Sequence, residues 1–422
     1  MEALLAARDA LREIVQNDTL FTTAIKKTFS SHPLSAEDES FARTALSSTL
    51  HHYLLLNRLV DDAELSLSID QRCLLLIVLG NEIFLKRRLD DVALKAAKKE
   101  LILADNNLTE ERLEAFLSSA IKDGKIIPPE IDENSVEYLS FKYNTPQWLI
   151  HMWQKHFGRP VTTKILSANA RPLIQACRVN TLLTTREKVL EDPDFIEGPI
   201  ENTVIYRGRT PLKKKAQYLD CSVFQQRLGV KKIIDNLPMP PNGSCLIYEE
   251  RPNAFYIEMA VHTNNEIFLS VAANSMERRL DIRKAARDYH IAHIEVFEST
   301  PELLITHISA PVDCVICLPE CSKFDLIRSL PDFFIHFHQA SLDTLITKQK
   351  LAIQECSRFV MDGGALLYSV NTINNKEGHF VVIDFLSHHP EFVLDNERQF
   401  LPFEEYNVSS YAALLRKSTV KK

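Results

Sequence analysis

Two strand-like windows deliver side chains with chemical potential to their C-terminal ends. Val312-Asp313-Cys314-Val315-Ile316-Cys317-Leu318-Pro319-Glu320-Cys321-Ser322 reads as a buried strand leading to Cys321, whose thiolate form would be a nucleophile. Gly363-Gly364-Ala365-Leu366-Leu367-Tyr368-Ser369-Val370-Asn371-Thr372 reads as a second such strand, leading to Asn371. A carboxamide cannot be ionised to a comparable nucleophile near neutral pH. The spacing Cys314-x-x-Cys317-x-x-x-Cys321 raises metal binding as a possibility. On a strand, however, residues 314 and 317 point to opposite faces, and no fourth ligand is evident, so no metal is expected. Packing of an inherited strand-end cysteine is favoured over catalysis for Cys321, because free cysteine is often buried. His51-His52, His336-x-His338 and His388-His389 lack a convincing set of partners and read as surface or helix-end residues.

Three blocks must position these groups, since 422 residues exceed one hydrophobic core. Residues 1–129 read as all-helical: Leu4, Leu5, Ala7, Leu11 and Ile14 recur at helical spacing, as do Leu46, Leu50, Tyr53 and Leu54. Ser35-Ala36-Glu37-Asp38 is a helix start, and Pro128-Pro129 closes the block. Residues 138–241 are mixed, with a helix carrying Trp148 and Trp153 and a strand at Gln175–Asn180. In residues 242–422 short apolar runs alternate with helical segments, the pattern of a mostly parallel α/β sheet. Strands are expected at Cys245–Tyr248, Ile267–Ala272, His293–Phe297, Val312–Leu318 and Ala365–Ser369, with closing strands from Tyr406 to Leu415. A ligand of such a sheet sits at the C-terminal strand ends.

Composition narrows the functions. The net charge of −7 is not that of a protein held to nucleic acid by global charge. A local basic run does exist, from Arg207 to Lys232, with Lys213, Lys214 and Lys215 at its centre and Asp220 its single acid. Only ten glycines occur, and no stretch approaches the GxGxxG that brings backbone close to a nucleotide. Eight irregularly spaced cysteines and no apolar N-terminal stretch imply a reducing, cytoplasmic setting.

Several motifs resemble those of the bacterial Sun/RsmB-type ribosomal RNA cytosine-C5 methyltransferases. They are Thr145-Pro146-Gln147-Trp148-Leu149 with Phe157-Gly158, Arg178-Val179-Asn180 with Thr184-Thr185-Arg186-Glu187, Ser322 through Pro331-Asp332, Gln349, and Gly363 through Ser369. The resemblance implies a multidomain protein: an all-α NusB-like domain (1–129), a small α+β RNA-binding connector (138–241) and an α/β Rossmann-like methyltransferase domain (242–422). It implies S-adenosyl-L-methionine (AdoMet) as cofactor and RNA, ribosomal RNA first, as partner. A protein partner through the NusB-like helices is a further option. Arg178 and Asn180 match an element beside the family's RNA groove, and Lys213, Lys214 and Lys215 lie near where the family lays its substrate.

The resemblance also locates losses. In the family a thiolate adds to C6 of cytosine so that C5 can attack the AdoMet methyl group, and a second cysteine helps release the product. Here the nucleophile position is Asn371 and the release position is Cys321; the base-binding aspartate aligns with Leu318 and its proline with Glu320. The glycine-rich cofactor loop is replaced by Ile247 through Ile257, where Ala254, Phe255 and Tyr256 would fill the methionine volume. Glu249-Glu250 would face the cofactor's carboxylate, and Asn274 stands where an acid should hold the ribose hydroxyls. The expected function is therefore an RNA-binding pseudoenzyme. Two alternatives remain: an active methyltransferase with Cys321 as the only available nucleophile, and a protein–protein adaptor using the NusB-like domain.

Overall fold

A computed structural model describes residues 1–85, 89, 91–103, 108–120, 131–250, 254–299, 301–404 and 408–419. Pro128-Pro129, Arg251 to Asn253 in the cofactor-loop position, and Tyr406 lie outside the described residues. The chain divides into two compact units, Met1–Arg171 with Leu326–Gln339, and Pro172–Asp325 with Ala340–Lys422.

The first unit is helical. Its centre is the helix Ile69–Phe84, buried at every position from Cys73 to Glu82. A helix apolar on all sides must be wrapped by others, and those at Glu2–Asn17 and Ala36–His51 do so with Leu4, Leu11, Ile14, Leu46 and Leu50. Close approach depends on Gly80: a Cβ there would stand 2.5 Å from the Thr49 hydroxyl. The start at Ser35 is capped as the sequence suggests, and the start at Ser68 is capped too. Ser35 accepts from the Asp38 amide at 3.1 Å, and Ser68 and Gln71 form a reciprocal capping box. The run Gln147–Asn169 is two helices meeting at Gly158, whose φ of 74° suits glycine, with Pro160 opening the second. Trp153 is fully buried in the first of them. The excursion Leu326–Gln339 is tied in by Asp332, which accepts from the Phe21 amide at 2.7 Å.

The second unit holds two sheets. The strands are β1 Gln175–Val179, β2 Phe195–Glu197, β3 Thr203–Tyr206, β4 Val223–Gln225, β5 Ser244–Glu249, β6 Phe268–Ala273, β7 Ile294–Glu298, β8 Val312–Leu318, β9 Val360–Val370, β10 Phe392–Phe400 and β11 Ser410–Lys417. An antiparallel sheet runs β2-β3-β1-β4. The larger sheet runs β10-β11-β9-β8-β5-β6-β7, parallel from β9 to β7, with β11 and β10 antiparallel. Its central strands are buried nearly throughout, as expected of parallel strands covered on both faces. The five parallel strands fall where the apolar runs predicted them. The closing pair differs: β10 precedes the expected segment, because an edge strand reading Asp395-Asn396-Glu397-Arg398 presents charge and not an apolar run.

Candidate functional site

Order in the large sheet reverses between β5 and β8: the chain runs from β5 outward through β6 to β7, then returns to β8 and β9. That reversal opens the crevice in which open α/β sheets bind ligands. The register Glu249↔Leu318 and Glu249↔Ala273 brings the ends of β5, β6 and β8 level with one another. No glycine occurs between Gly243 and Gly363, so the turn after β5 has none of the residues that permit close backbone approach.

On the β5–β6 side the crevice holds the chain's own side chains. Glu249, 1% exposed, accepts from Arg278 Nε, and the Arg278 guanidinium lies 5.7 Å from the centre of the Tyr256 ring. Burial opposes the charge on Arg278; the hydrogen bond and field of Glu249 outweigh it and raise the pKa. Tyr256 is buried, which pushes its phenol up to about 12. Glu250 ties the strands together: it accepts from Tyr248 OH at 3.0 Å and from the Glu320 amide at 3.1 Å, and its own amide donates to the Leu318 carbonyl. Asn274 is exposed, its amide 3.4 Å from the Glu250 carbonyl oxygen. The sequence had left the two glutamates facing a cofactor carboxylate; Arg278 neutralises Glu249 and was not foreseen.

On the β8–β9 side the expected chemical residues do meet. Cys321, 3% exposed, places Sγ 3.9 Å from the backbone oxygen of Asn371. Around them is a lattice centred on Glu377, which is completely buried. Its carboxyl oxygens accept from the Ser322 amide (2.8 Å), Gln349 Nε2 (2.9 Å), Thr372 Oγ1 (3.2 Å) and Asn374 Nδ2 (3.0 Å). Its backbone carbonyl accepts from Tyr368 OH at 2.7 Å, and the Ser322 and Thr372 hydroxyls are 2.7 Å apart. The loops following both strands are thereby locked together. Sequence reasoning missed Glu377, although Asn374-x-x-Glu377 ahead of an apolar run has the spacing of a helix start.

The residues expected at an RNA groove separate into two groups. Arg178 and Asn180 are inside. Arg178 Nε donates to both oxygens of Glu258 at 3.0 and 3.1 Å, and Nη1 donates to the carbonyls of Val179 and Asn202. Asn180 donates to the carbonyls of Cys221 and Tyr289 and accepts from the Leu182 amide. Both side chains are therefore buried and engaged within the fold. Lys215 is likewise spoken for: its ammonium sits 2.6 Å from Asp192 and 2.9 Å from Asp194, which raise its pKa. Lys213 and Lys214 are exposed. Arg227 pairs with Asp325 and Lys231 with Asp235, so acids outside the basic run cancel part of it. Among the described residues no cluster of three or more His, Cys, Asp or Glu could hold a metal ion, and no helix is long and apolar enough to cross a membrane.

Comparison with known proteins agrees with this geometry. The RsmF/B-like methyltransferase ferredoxin-like domain family matches residues 145–192. A curated relative, the probable ribosomal RNA small subunit methyltransferase B of Bacillus subtilis (strain 168), is 22% identical over 288 residues. This chain is similar to RsmB-type ribosomal RNA methyltransferases. The match covers 62% of this chain and only 60% of that relative's length. Among solved structures, PH0851 covers 99% of this chain and 98% of its own, with a TM-score of 0.72 at 17% identity. A methyltransferase homolog from Pyrococcus horikoshii covers 67% of this chain and 99% of its own (TM-score 0.58, 15% identity). NSun6 from the same organism, solved with SFG, covers 64% and 98% (TM-score 0.57, 12% identity). At these identities the structural neighbours show the fold alone, a Rossmann-like methyltransferase fold.

Proposed function

We propose that this RsmB-like chain binds RNA, ribosomal RNA first, and has lost cytosine-C5 methyl transfer. Its parts are then a NusB-like domain (1–129), an RNA-binding connector (138–241) and a methyltransferase-type domain (242–422). One observation carries the reading: Arg278 is drawn into the β5–β6 end of the crevice by buried Glu249 and packed over Tyr256. These groups do not fit AdoMet, whose methionine carboxylate and ammonium need room and polar partners where a buried ion pair and a phenol stand. The position of Asn371 agrees, since it removes the nucleophile independently of the cofactor. Isothermal titration of the full chain with AdoMet is expected to give no binding heat; micromolar affinity would overturn the proposal. Transfer of labelled methyl groups to ribosomal RNA, abolished by Cys321→Ala, would instead establish an active enzyme. The proposal places the protein in the cytoplasm, where its eight cysteines stay reduced.

A further inference from the structure

A cleft in the helical unit contains none of these strand-end residues. It has a volume of about 700 Å³, and among the described residues no aspartate or glutamate lines it, although the whole chain carries 56 acids against 49 lysines and arginines. One wall is a polar stripe on the helix Ala36–His51: Arg43, Thr44, Ser47 and His51 share a face at helical spacing. Lys142 joins them from the end of the helix Val136–Tyr143. It packs near the rings of Tyr138 and Tyr143, and among the described residues no carboxylate lies within 4.0 Å of its ammonium. Arg43 reaches Glu39 at 2.7 Å, but both side chains are about half exposed and such pairs bind weakly. The opposite wall is apolar, formed by Leu85, Leu330, Pro331 and Phe334.

A second, independent observation points to a ligand. Asn169 lines the same cleft; its amide nitrogen and oxygen are both buried, and neither has a hydrogen-bond partner among the described residues. Buried polar atoms are almost always paired, so an amide with both ends unsatisfied marks a place where a partner is missing. An asparagine amide offers one donor edge and one acceptor edge, the combination that reads the edge of a nucleobase. Cations, an apolar wall and an unpaired amide in one cleft describe a site for phosphate, base face and base edge together. Unpaired RNA nucleotides are recognised in this way, with the base splayed out of any helix.

We propose that this cleft takes an unpaired nucleotide of single-stranded RNA, with phosphate at Arg43 and Lys142 and the base edge at Asn169. The site deepens the RNA-binding reading and rests on it, but it needs none of the strand-end residues. The test photocrosslinks the full chain to a short single-stranded RNA containing 4-thiouridine and maps the joined peptides by mass spectrometry. Crosslinks are expected in the segments bearing Arg43, Lys142 or Asn169. Arg43→Glu with Lys142→Glu should weaken binding and flatten its salt dependence by about 1.4 in log–log slope, two contacts at ~0.7 each. Asn169→Leu should weaken binding about tenfold while the melting temperature holds or rises, because it removes an unsatisfied amide; a merely structural asparagine would lower it. Crosslinks confined to residues 203–232, with all variants binding as the parent does, would overturn this site and leave RNA binding intact. No binding of the oligonucleotide at low salt would overturn both.

Discussion

At the ends of β5 and β6 the chain sets a charge pair, Glu249 and Arg278, against a phenol; at the ends of β8 and β9 it sets one carboxyl group, Glu377, among four neutral donors. Both arrangements stand at C-terminal strand ends of the same sheet. They are held by different physics. The charge pair sets two opposite charges in direct contact, so removing one leaves the other exposed to the cost of burial. The Glu377 lattice distributes its bonds over two loops and a helix, so the loss of one donor leaves the others on the common acceptor. The first arrangement joins the end of β5 to the helix Met276–Asp288; the second fixes the backbone after β8 and β9.

The largest effect is expected at the common acceptor. Glu377→Ala strands the Ser322 amide and Asn374 in a buried setting and takes one of the partners of Gln349 and Thr372, and unmet buried donors cost about 1–3 kcal/mol each. With partial relaxation the loss should reach about 4 kcal/mol in urea unfolding of the full chain. Asn374→Ala should cost far less, because it removes one donor and leaves the rest paired; equal losses would break the picture of a hub. Arg278→Met comes next, at about 3 kcal/mol, since it leaves Glu249 buried without its partner. Adding Glu249→Gln should return about half of that. If the double variant is no more stable than Arg278→Met, Glu249 does not depend on the pair.

A pH series extends the contrast to the base of the helix Phe255–His262. Burial raises the pKa of Glu258, with Arg178 pulling the other way. A carboxyl group with a raised folded-state pKa binds its proton more tightly when folded. Its contribution to stability is therefore present below the ordinary value of 4.5 and is lost as pH rises through the raised value. Glu258→Gln should remove that fall from the pH dependence of the unfolding midpoint. A slope unchanged by the substitution would show that Glu258 titrates as it does unfolded.

What the sequence disclosed follows the same division. The five parallel strands were legible because strands buried on both faces read as unbroken apolar runs, and Val312–Leu318 is such a run. β10 was not, because an edge strand carries charge. Cys321 and Asn371 were readable as strand-end residues, and the structure brings them within 3.9 Å. The pair Glu249–Arg278 spans 29 positions and depends on how the helix Met276–Asp288 docks, which no local pattern encodes. Arg178 looked like a nucleic-acid contact for the same reason: a motif gives residue type and order, while burial against Glu258 is decided by tertiary packing.

The smallest expected effect separates three adjacent lysines. A window count treats Lys213, Lys214 and Lys215 as one basic patch, but Lys215 already faces Asp192 and Asp194 while the other two are exposed. Counterion release is driven by cations that a phosphate can reach, and a lysine held by two carboxylates has little net charge to offer. Lys213→Ala with Lys214→Ala should lower the salt slope of RNA binding by about 1.4, at ~0.7 per contact on a single strand, with a few-fold loss of affinity. Lys215→Ala should leave that slope unchanged and act on the fold instead. Its hydrogen bond holds Asp192 below the ordinary value of 3.8, a contribution present above that value and lost as pH falls, so its effect on stability should fade in acid. If Lys215→Ala flattens the slope as much as the other two, the carboxylates open on binding, and the connector meets RNA with the whole run.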